Sequence, residues 1–353
     1  MIEPSLRRGR RTGSGVIGVD LGATKVVSGW VEPDGTVTGH SGARIHRNEG
    51  YPELVAEIVR CVRASQSARP RALRAVGVGI AAQVDPRRGR VIYAPNLRWK
   101  SRPLATDLAR ELHTPVYLIN DARAATLGEW RFGAGRGSDN WLCLMVGTGV
   151  GSSAVVGGAL LEGASNAFGE VGHMTLVSGG APCHCPHRGC IEAYIGGWAI
   201  GERARLEVDR RGGGKSLIRR LVGTPEQISA RTVFEAYRRG DSLAIRLVQE
   251  VERYFADAVV GLVNGYNPGR LVLGGGIVEG LPHLLPILRK AIRDHCQPSE
   301  SKVRVVRARL GPDTVLIGAA AYAWERQGIS PHRERTRLLE RASQRRRGPG
   351  SPS

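Results

Sequence analysis

Three groups of residues in this chain could do chemistry. Asp20-x-Gly22-x-Thr24-Lys25 sets an acid, a glycine, a hydroxyl and a cation on one tight turn. Gly147-Thr148-Gly149-Val150-Gly151 makes a second glycine turn, and Gly274-Gly275-Gly276 forms a third cluster. Phosphate groups need backbone N–H donors at close range, which a Cβ would obstruct, so glycine turns suit them. Each turn alone is more simply a turn; two hairpins with the third cluster make a pattern that clamps phosphates from both halves of the chain. The second group is Asn120-Asp121, whose carboxylate could take a proton from a hydroxyl or, more plainly, cap the helix that follows. The third is His173-x9-Cys183-x-Cys185-x4-Cys190. Three thiols and an imidazole are the S₃N set that zinc holds tetrahedrally, with reduced surface thiols as the plainer alternative.

These residues need elements to carry them. Gly15–Asp20 is a short apolar strand ending in the acid, and Val26–Val31 reads as its return strand. Tyr51–Ala64 repeats Leu54, Val55, Ile58, Val59 and Val62 on one helical face, and Pro103–His113 is a second helix with Leu104, Leu108 and Leu112 inward. Ala75–Ala81 is a buried strand, and Val116–Ile119 delivers Asn120 and Asp121 at its end. Trp141–Val146 and Ser152–Val156 then repeat the strand, glycine turn and strand of the chain's start, which suggests a duplicated fold. Both turns join strand to strand, so neither is a P-loop or a dinucleotide fingerprint, which lead from strand to helix. Leu243–Tyr266 is a long helix, Leu271–Leu273 a strand entering the third glycine cluster, and Thr314–Gln327 an alanine-rich helix that returns to the first domain. Gly201–Ala230 is polar and basic, broken at Gly212–Gly214. Strands alternating with helices imply a layered α/β fold.

Composition narrows the class. With 353 residues, two domains are the prior, and 41% hydrophobic with 24% charged residues excludes wholesale disorder or a membrane bundle. Met1–Ser14 is basic without the apolar core of a signal peptide, so the expected location is the cytoplasm. The net charge of +19 raises nucleic acid as a partner. Much of that charge lies in Arg7, Arg8, Arg10 and Arg11 and in seven arginines after residue 330, within segments rich in Gly, Ser and Pro that read as disordered. Solvated ends therefore explain it better than a polyanion site. Cys61, Cys143 and Cys296 stand alone as small hydrophobes.

The run Leu144-Met145-Val146-Gly147-Thr148-Gly149-Val150-Gly151, then Gly157-Gly158, then Gly169-Glu170-Val171-Gly172-His173, resembles the signature of the ROK family of repressors, uncharacterised frames and sugar kinases. The resemblance takes in Asp20-x-Gly22-x-Thr24-Lys25, Asn120-Asp121 and Cys183-x-Cys185-x4-Cys190-Ile191-Glu192, and so covers residues 15–328. It implies the two-domain actin- and hexokinase-like ATPase fold, hinged around a cleft. On that reading residues 15–121 form a small domain completed by the helix at 312–328. Residues 122–311 form a large domain with a zinc loop at 173–192, between the disordered ends 1–14 and 329–353.

The activity implied is that of an ATP- and Mg²⁺-dependent hexose kinase, glucose foremost, acting as a homo-oligomeric dimer or tetramer. Asp121 would be the general base. Asn96 (in Pro95-Asn96-Leu97-x-Trp99), Asn120, Asp121, Glu170, His173 and Glu192 would hold the sugar. Asp20, Gly22, Thr24, Lys25, Gly147, Thr148, Gly149, Gly274, Gly275 and Gly276 would hold nucleotide. His173, Cys183, Cys185 and Cys190 would carry a structural zinc, with His184 and His187 as exposed neighbours. An N-acetylhexosamine (GlcNAc or ManNAc) or fructose kinase is the alternative. A sugar-responsive repressor needs a helix-turn-helix before the first strand, where only Met1–Ser14 stand. Four positions depart from the family pattern. Arg123 follows Asn-Asp-Ala where asparagine is usual, Ala81-Ala82 replace Pro-Gly in a loop near the sugar, and Pro186 replaces glycine after the second cysteine.

Overall fold

The β-strands form where short apolar runs can be buried on both faces, and glycines within them let other elements press close. The computed structural model describes residues 14–45, 50–68, 72–210, 216–299 and 302–328. The tail at 329–353, residues 1–13 and the Gly212–Gly214 break lie outside these. The chain divides into two units, unit 1 running to Ala124 and resuming at Val315, and unit 2 spanning Ala125–Thr314.

Unit 1 contains, in chain order, β1 (Ser14–Leu21), β2 (Lys25–Val31), β3 (Val37–Arg44), α1 (Tyr51–Ala68) and β4 (Ala72–Ile80). Three short strands follow, β5 (Gln83–Asp85), β6 (Arg90–Ala94) and β7 (Trp99–Arg102), then α2 (Leu104–Leu112), β8 (Val116–Asn120) and the first turn of α3 (Asp121–Phe132). Its main sheet has the order β3-β2-β1-β4-β8, antiparallel from β3 to β1 and parallel from β1 to β8. Strands β5 to β7 make a separate antiparallel sheet. Ser14, the last residue of the expected leader, opens β1.

Unit 2 contains the rest of α3, β9 (Trp141–Val146), β10 (Val150–Val156), β11 (Ala159–Leu160), α4 (Glu192–Ile195), α5 (Gly197–Arg210), α6 (Leu217–Arg220), α7 (Ala230–Arg238) and α8 (Ser242–Tyr266). It closes with β12 (Arg270–Gly274), α9 (Gly276–Gly280), α10 (Leu284–His295) and β13 (Arg304–Arg307). The sheet order β11-β10-β9-β12-β13 repeats that of unit 1, antiparallel on one side of β9 and parallel on the other. The duplication suggested by the two glycine hairpins is thus present in the strand order. Helix α8 anchors the unit 2 core with Leu247, Val251, Phe255, Val259 and Leu262 buried on one stripe. Asp241 caps it, accepting from the Ala244 amide at 2.9 Å, and Asn267 in the left-handed region ends it before Pro268.

The last helix, α11 (Thr314–Arg326), returns the chain to unit 1. Gly18 and Gly77 face each other in the β1–β4 register. A Cβ on Gly18 would lie 2.1 Å from the Leu316 carbonyl oxygen, and one on Gly77 would lie 1.9 Å from that of Ala319. The pair lets the helix backbone sit on the strands, where Ala319, Ala320, Ala321 and Ala323 are fully buried. This stacking packs the helix directly on the sheet whose strand ends carry Asp20 and Asn120. Among the described residues no helix is long and apolar enough to cross a membrane.

Candidate active site

In unit 1 the residues of interest stand at strand ends. Asp20 is half-buried near the end of β1, and the turn after it closes through the Gly22 amide donating to the Lys25 carbonyl at 3.0 Å. Thr24 and Lys25 are exposed at its tip. Asn120 ends β8 and Asp121 begins α3. The Arg123 amide donates to Asn120 Oδ1 at 3.2 Å, so asparagine, rather than aspartate, caps this helix three residues in. Asn120 Nδ2 donates to the Ala82 carbonyl at 3.3 Å and to Asp121 Oδ1 at 3.0 Å. The Ala122 amide donates to the same Oδ1 at 2.8 Å. Asp121 is therefore held by one oxygen, and Oδ2 takes part in neither bond. Burial pushes its carboxyl above the ordinary aspartate range, outweighing these bonds, which pull the other way. Asn96 is exposed in the single turn Pro95–Leu97, apart from any of these bonds.

In unit 2 the β9–β10 turn is set by the first residues of α5. Gly197 N donates to the Gly147 carbonyl at 2.9 Å and Trp198 N to the Thr148 carbonyl at 3.1 Å. A trans peptide points its C=O and its following N–H in opposite directions. With both carbonyls turned to α5, the amides of Thr148 and Gly149 face the other way, side by side, as an anion-binding nest requires. Glu192 fastens the far end of the turn, its Oε2 accepting from Val150 N at 2.8 Å. A Cβ on Gly149 would lie 2.5 Å from that oxygen, so only glycine admits the carboxylate here. Gly275, at φ +92°, backs onto Val146, where a Cβ would meet the carbonyl oxygen at 2.4 Å. The third glycine cluster thus abuts the strand entering the turn.

The cysteines and His173 converge. Their donor atoms all lie within 4.8 Å of one another, with Cys185 and Cys190 sulfurs 3.6 Å apart and His173 Nδ1 3.8 Å from Cys183 Sγ. The loop folds back on itself through Cys183 N to His187 O at 3.1 Å and Leu176 N to Gly189 O at 2.7 Å. Burial, then the neighbouring thiols Cys185 and Cys183, push Cys190 up to about 12. Sulfurs this close would share their space as thiolates only with a cation between them, and the spacing suits a tetrahedral S₃N ion. His173 Nε2 lies 4.0 Å from Glu170 Oε2, so the ring spans the thiols and that carboxylate.

Sequence reasoning assigns Glu192 to the sugar; in the fold each of its oxygens already accepts a protein bond, Oε1 from Trp198 Nε1 at 3.0 Å. His184 and His187 are exposed as expected, yet neither stands alone. His187 Nε2 lies 2.9 Å from Thr175 Oγ1, and His184 stacks on Trp198. Trp198 itself was not singled out from the sequence. The Gly196-Gly197 pair before it hides the start of α5, and the signal that could have found it is an indole six residues after a candidate acid.

Two units with the same hairpin-led sheet order, carrying glycine turns and a strand-end carboxylate, define the actin-like ATPase fold. Residues 16–326 match the ROK family, and the chain belongs to it. Its relatives include the glucokinase of Thermotoga maritima, 34% identical over 89% of this chain and 98% of that one. The glucokinase of Streptomyces coelicolor is 30% identical over 88% of this chain and 97% of its own length. Among solved structures, a ROK family glucokinase from Streptomyces griseus in complex with glucose and AMPPNP is 30% identical, with a TM-score of 0.78 over 88% of this chain and 99% of that one.

Proposed function

We infer that the chain is an ATP-dependent hexose kinase that converts glucose and MgATP to glucose 6-phosphate and MgADP. The observation that carries this reading is Asp121, fixed through Oδ1 by Ala122 N and Asn120 Nδ2 with Oδ2 outside both bonds. Oδ2 takes the proton of the sugar hydroxyl as its oxygen attacks the γ-phosphorus, and the bond from that phosphorus to the β,γ-bridging oxygen breaks to release ADP. A carboxyl raised by burial is a better base than an exposed one, provided the working pH lies above its pKa. The turn amides of Thr148 and Gly149 hold phosphate oxygens, supported by Gly274–Gly276, while Asp20, Gly22, Thr24 and Lys25 are unit 1's nucleotide residues. Asn96, Asn120, Glu170 and His173 take sugar hydroxyls, and Glu192 acts mainly by fixing the turn.

His173, Cys183, Cys185 and Cys190 would hold one zinc ion. With four protein ligands it supplies structural order to the loop and leaves no position for substrate. Sugar choice rests on the Ala81-Ala82 loop, whose Ala82 carbonyl orients Asn120. An ADP-release assay across glucose, mannose, fructose, N-acetylglucosamine and N-acetylmannosamine tests the reading. Glucose should give the highest kcat/KM. A higher value for an N-acetylhexosamine would reassign the substrate, and no turnover on any sugar by folded protein would refute the kinase.

A further inference from the structure

Trp198 sits where the Cys/His knot, Glu192 and the Gly147–Val150 turn meet. Its indole Nε1 donates to Glu192 Oε1 at 3.0 Å, while Glu192 Oε2 accepts from the Val150 amide at 2.8 Å. Its own backbone amide holds the Thr148 carbonyl at 3.1 Å. The ring lies on the His184 imidazole, with centroids 3.8 Å apart and planes at 17°. His184 stands between Cys183 and Cys185, and Glu192 stands two residues after Cys190. The knot therefore reaches Trp198 from two sides, through a stacked ring and through a carboxylate. Trp198 and Glu192 in turn hold the peptide planes that aim the Thr148 and Gly149 amides.

We propose that Trp198 is a positioning residue that couples metal binding in the knot to nucleotide binding at the Gly147–Val150 turn. It touches no reacting atom. The coupling rests on reading that turn as the phosphate cradle. Order imposed on the knot narrows the orientations of Trp198 and Glu192, and hence of two amides that must already be aimed when a phosphate arrives. Linkage makes the effect reciprocal in affinity, so a nucleotide bound at the turn must tighten the knot's hold on the metal, which slower release reports. The two routes separate by substitution. Trp198→Phe keeps a ring on His184 and loses the donor to Glu192, whereas His184→Ala keeps the donor and loses the stack.

The test is zinc release from the zinc-loaded full chain to a colorimetric chelator, with and without saturating ADP, alongside the calorimetric Kd for ADP. In the wild type, ADP should slow release by roughly fivefold, at the low end of measured couplings between sites. In Trp198→Phe that protection should disappear and the Kd for ADP rise by roughly fivefold, the worth of one ordinary hydrogen bond. His184→Ala, at an exposed position, should keep its fold and most of its ADP affinity while losing at least half of the protection; it keeps the test decisive if Trp198→Phe unfolds. Undiminished protection in folded variants would overturn the coupling and leave the kinase reading standing. A wild type that binds no ADP at all would instead remove the phosphate cradle beneath both.

Discussion

The two glycine turns occupy the same place in two sheets of the same strand order, yet they are fastened differently. The β1–β2 turn closes on itself, through Gly22 N to Lys25 O, and exposes a hydroxyl and an ammonium at its tip. The β9–β10 turn carries no charged side chain; its carbonyls are pinned by α5 and its exit by Glu192. Unit 1 thus offers side-chain chemistry, with Asp121 following β8, two strands from β1 in the same sheet, whereas unit 2 offers aimed backbone amides backed by the Cys/His knot. Duplication supplied one frame twice, and the fastening of each turn decides what it can do.

The sharpest way to break this division is Asp121→Asn. The amide keeps an oxygen for Ala122 N and Asn120 Nδ2 but cannot accept the proton, so kcat should fall by roughly 10²–10⁴ with the KM for MgATP little changed. Stability should move the opposite way. Because burial raises the Asp121 carboxyl, the folded state binds that proton more tightly than the unfolded one. Its contribution to stability is present below the unfolded pKa, near about 3.9, and is lost as pH rises through the folded value. At neutral pH the buried charge opposes folding, and the variant should melt at the same temperature or higher in calorimetry.

Next in size is the Cys/His knot. Cys185→Ala or a strong chelator should remove the ion and disorder the loop that carries Glu170 and His173. Structural zinc contributes on the order of 10–16 kcal/mol in small zinc-finger peptides, but here a large core surrounds the loop. Sugar affinity, read by calorimetry, should therefore fall before the protein unfolds. Native protein purified without chelator and found free of zinc by elemental analysis would contradict the assignment.

A paired comparison tests the turns directly. Gly149→Ala drives a Cβ to within 2.5 Å of Glu192 Oε2 and should raise the KM for MgATP by roughly tenfold. Lys25→Ala removes an exposed charge, and the effect should stay within about fivefold and shrink as salt rises. Equal, salt-independent effects would show that the turns work alike.

Much of this division was legible in the residue order. Trp141–Val146 is a strand as read, and the strand-end position of Asn120-Asp121 and the alanine-rich return of α11 follow from apolar runs and small residues. The strands β3, β5 to β7 and β13 were not legible. Val37–Arg44 is a polar edge strand with a glycine at two positions, and Arg304–Arg307 has only four residues. Helix α5 was hidden for another reason. Gly197 and Gly201 weaken any helical pattern, but each sits where packing leaves little room, a Cβ on Gly197 meeting the Gly147 carbonyl at 2.7 Å. Tertiary packing overrides propensity there, and Trp198 and the fastening of the turn were missed with it. The residue order offered Asp121 as the cap of α3, and only the hydrogen bond from the Arg123 amide gives that place to Asn120.

The central claim is that Asp121 is the base in phosphoryl transfer from MgATP to a hexose. The most direct test is ADP formation at saturating glucose and MgATP, followed against pH for the wild type and Asp121→Asn side by side. In the wild type kcat should rise with pH through one ionisation placed above the ordinary aspartate value, as burial of that carboxyl requires. The variant should be slow and should lack that limb. A variant that keeps the same acid limb, or near-native kcat, would show that another group takes the proton.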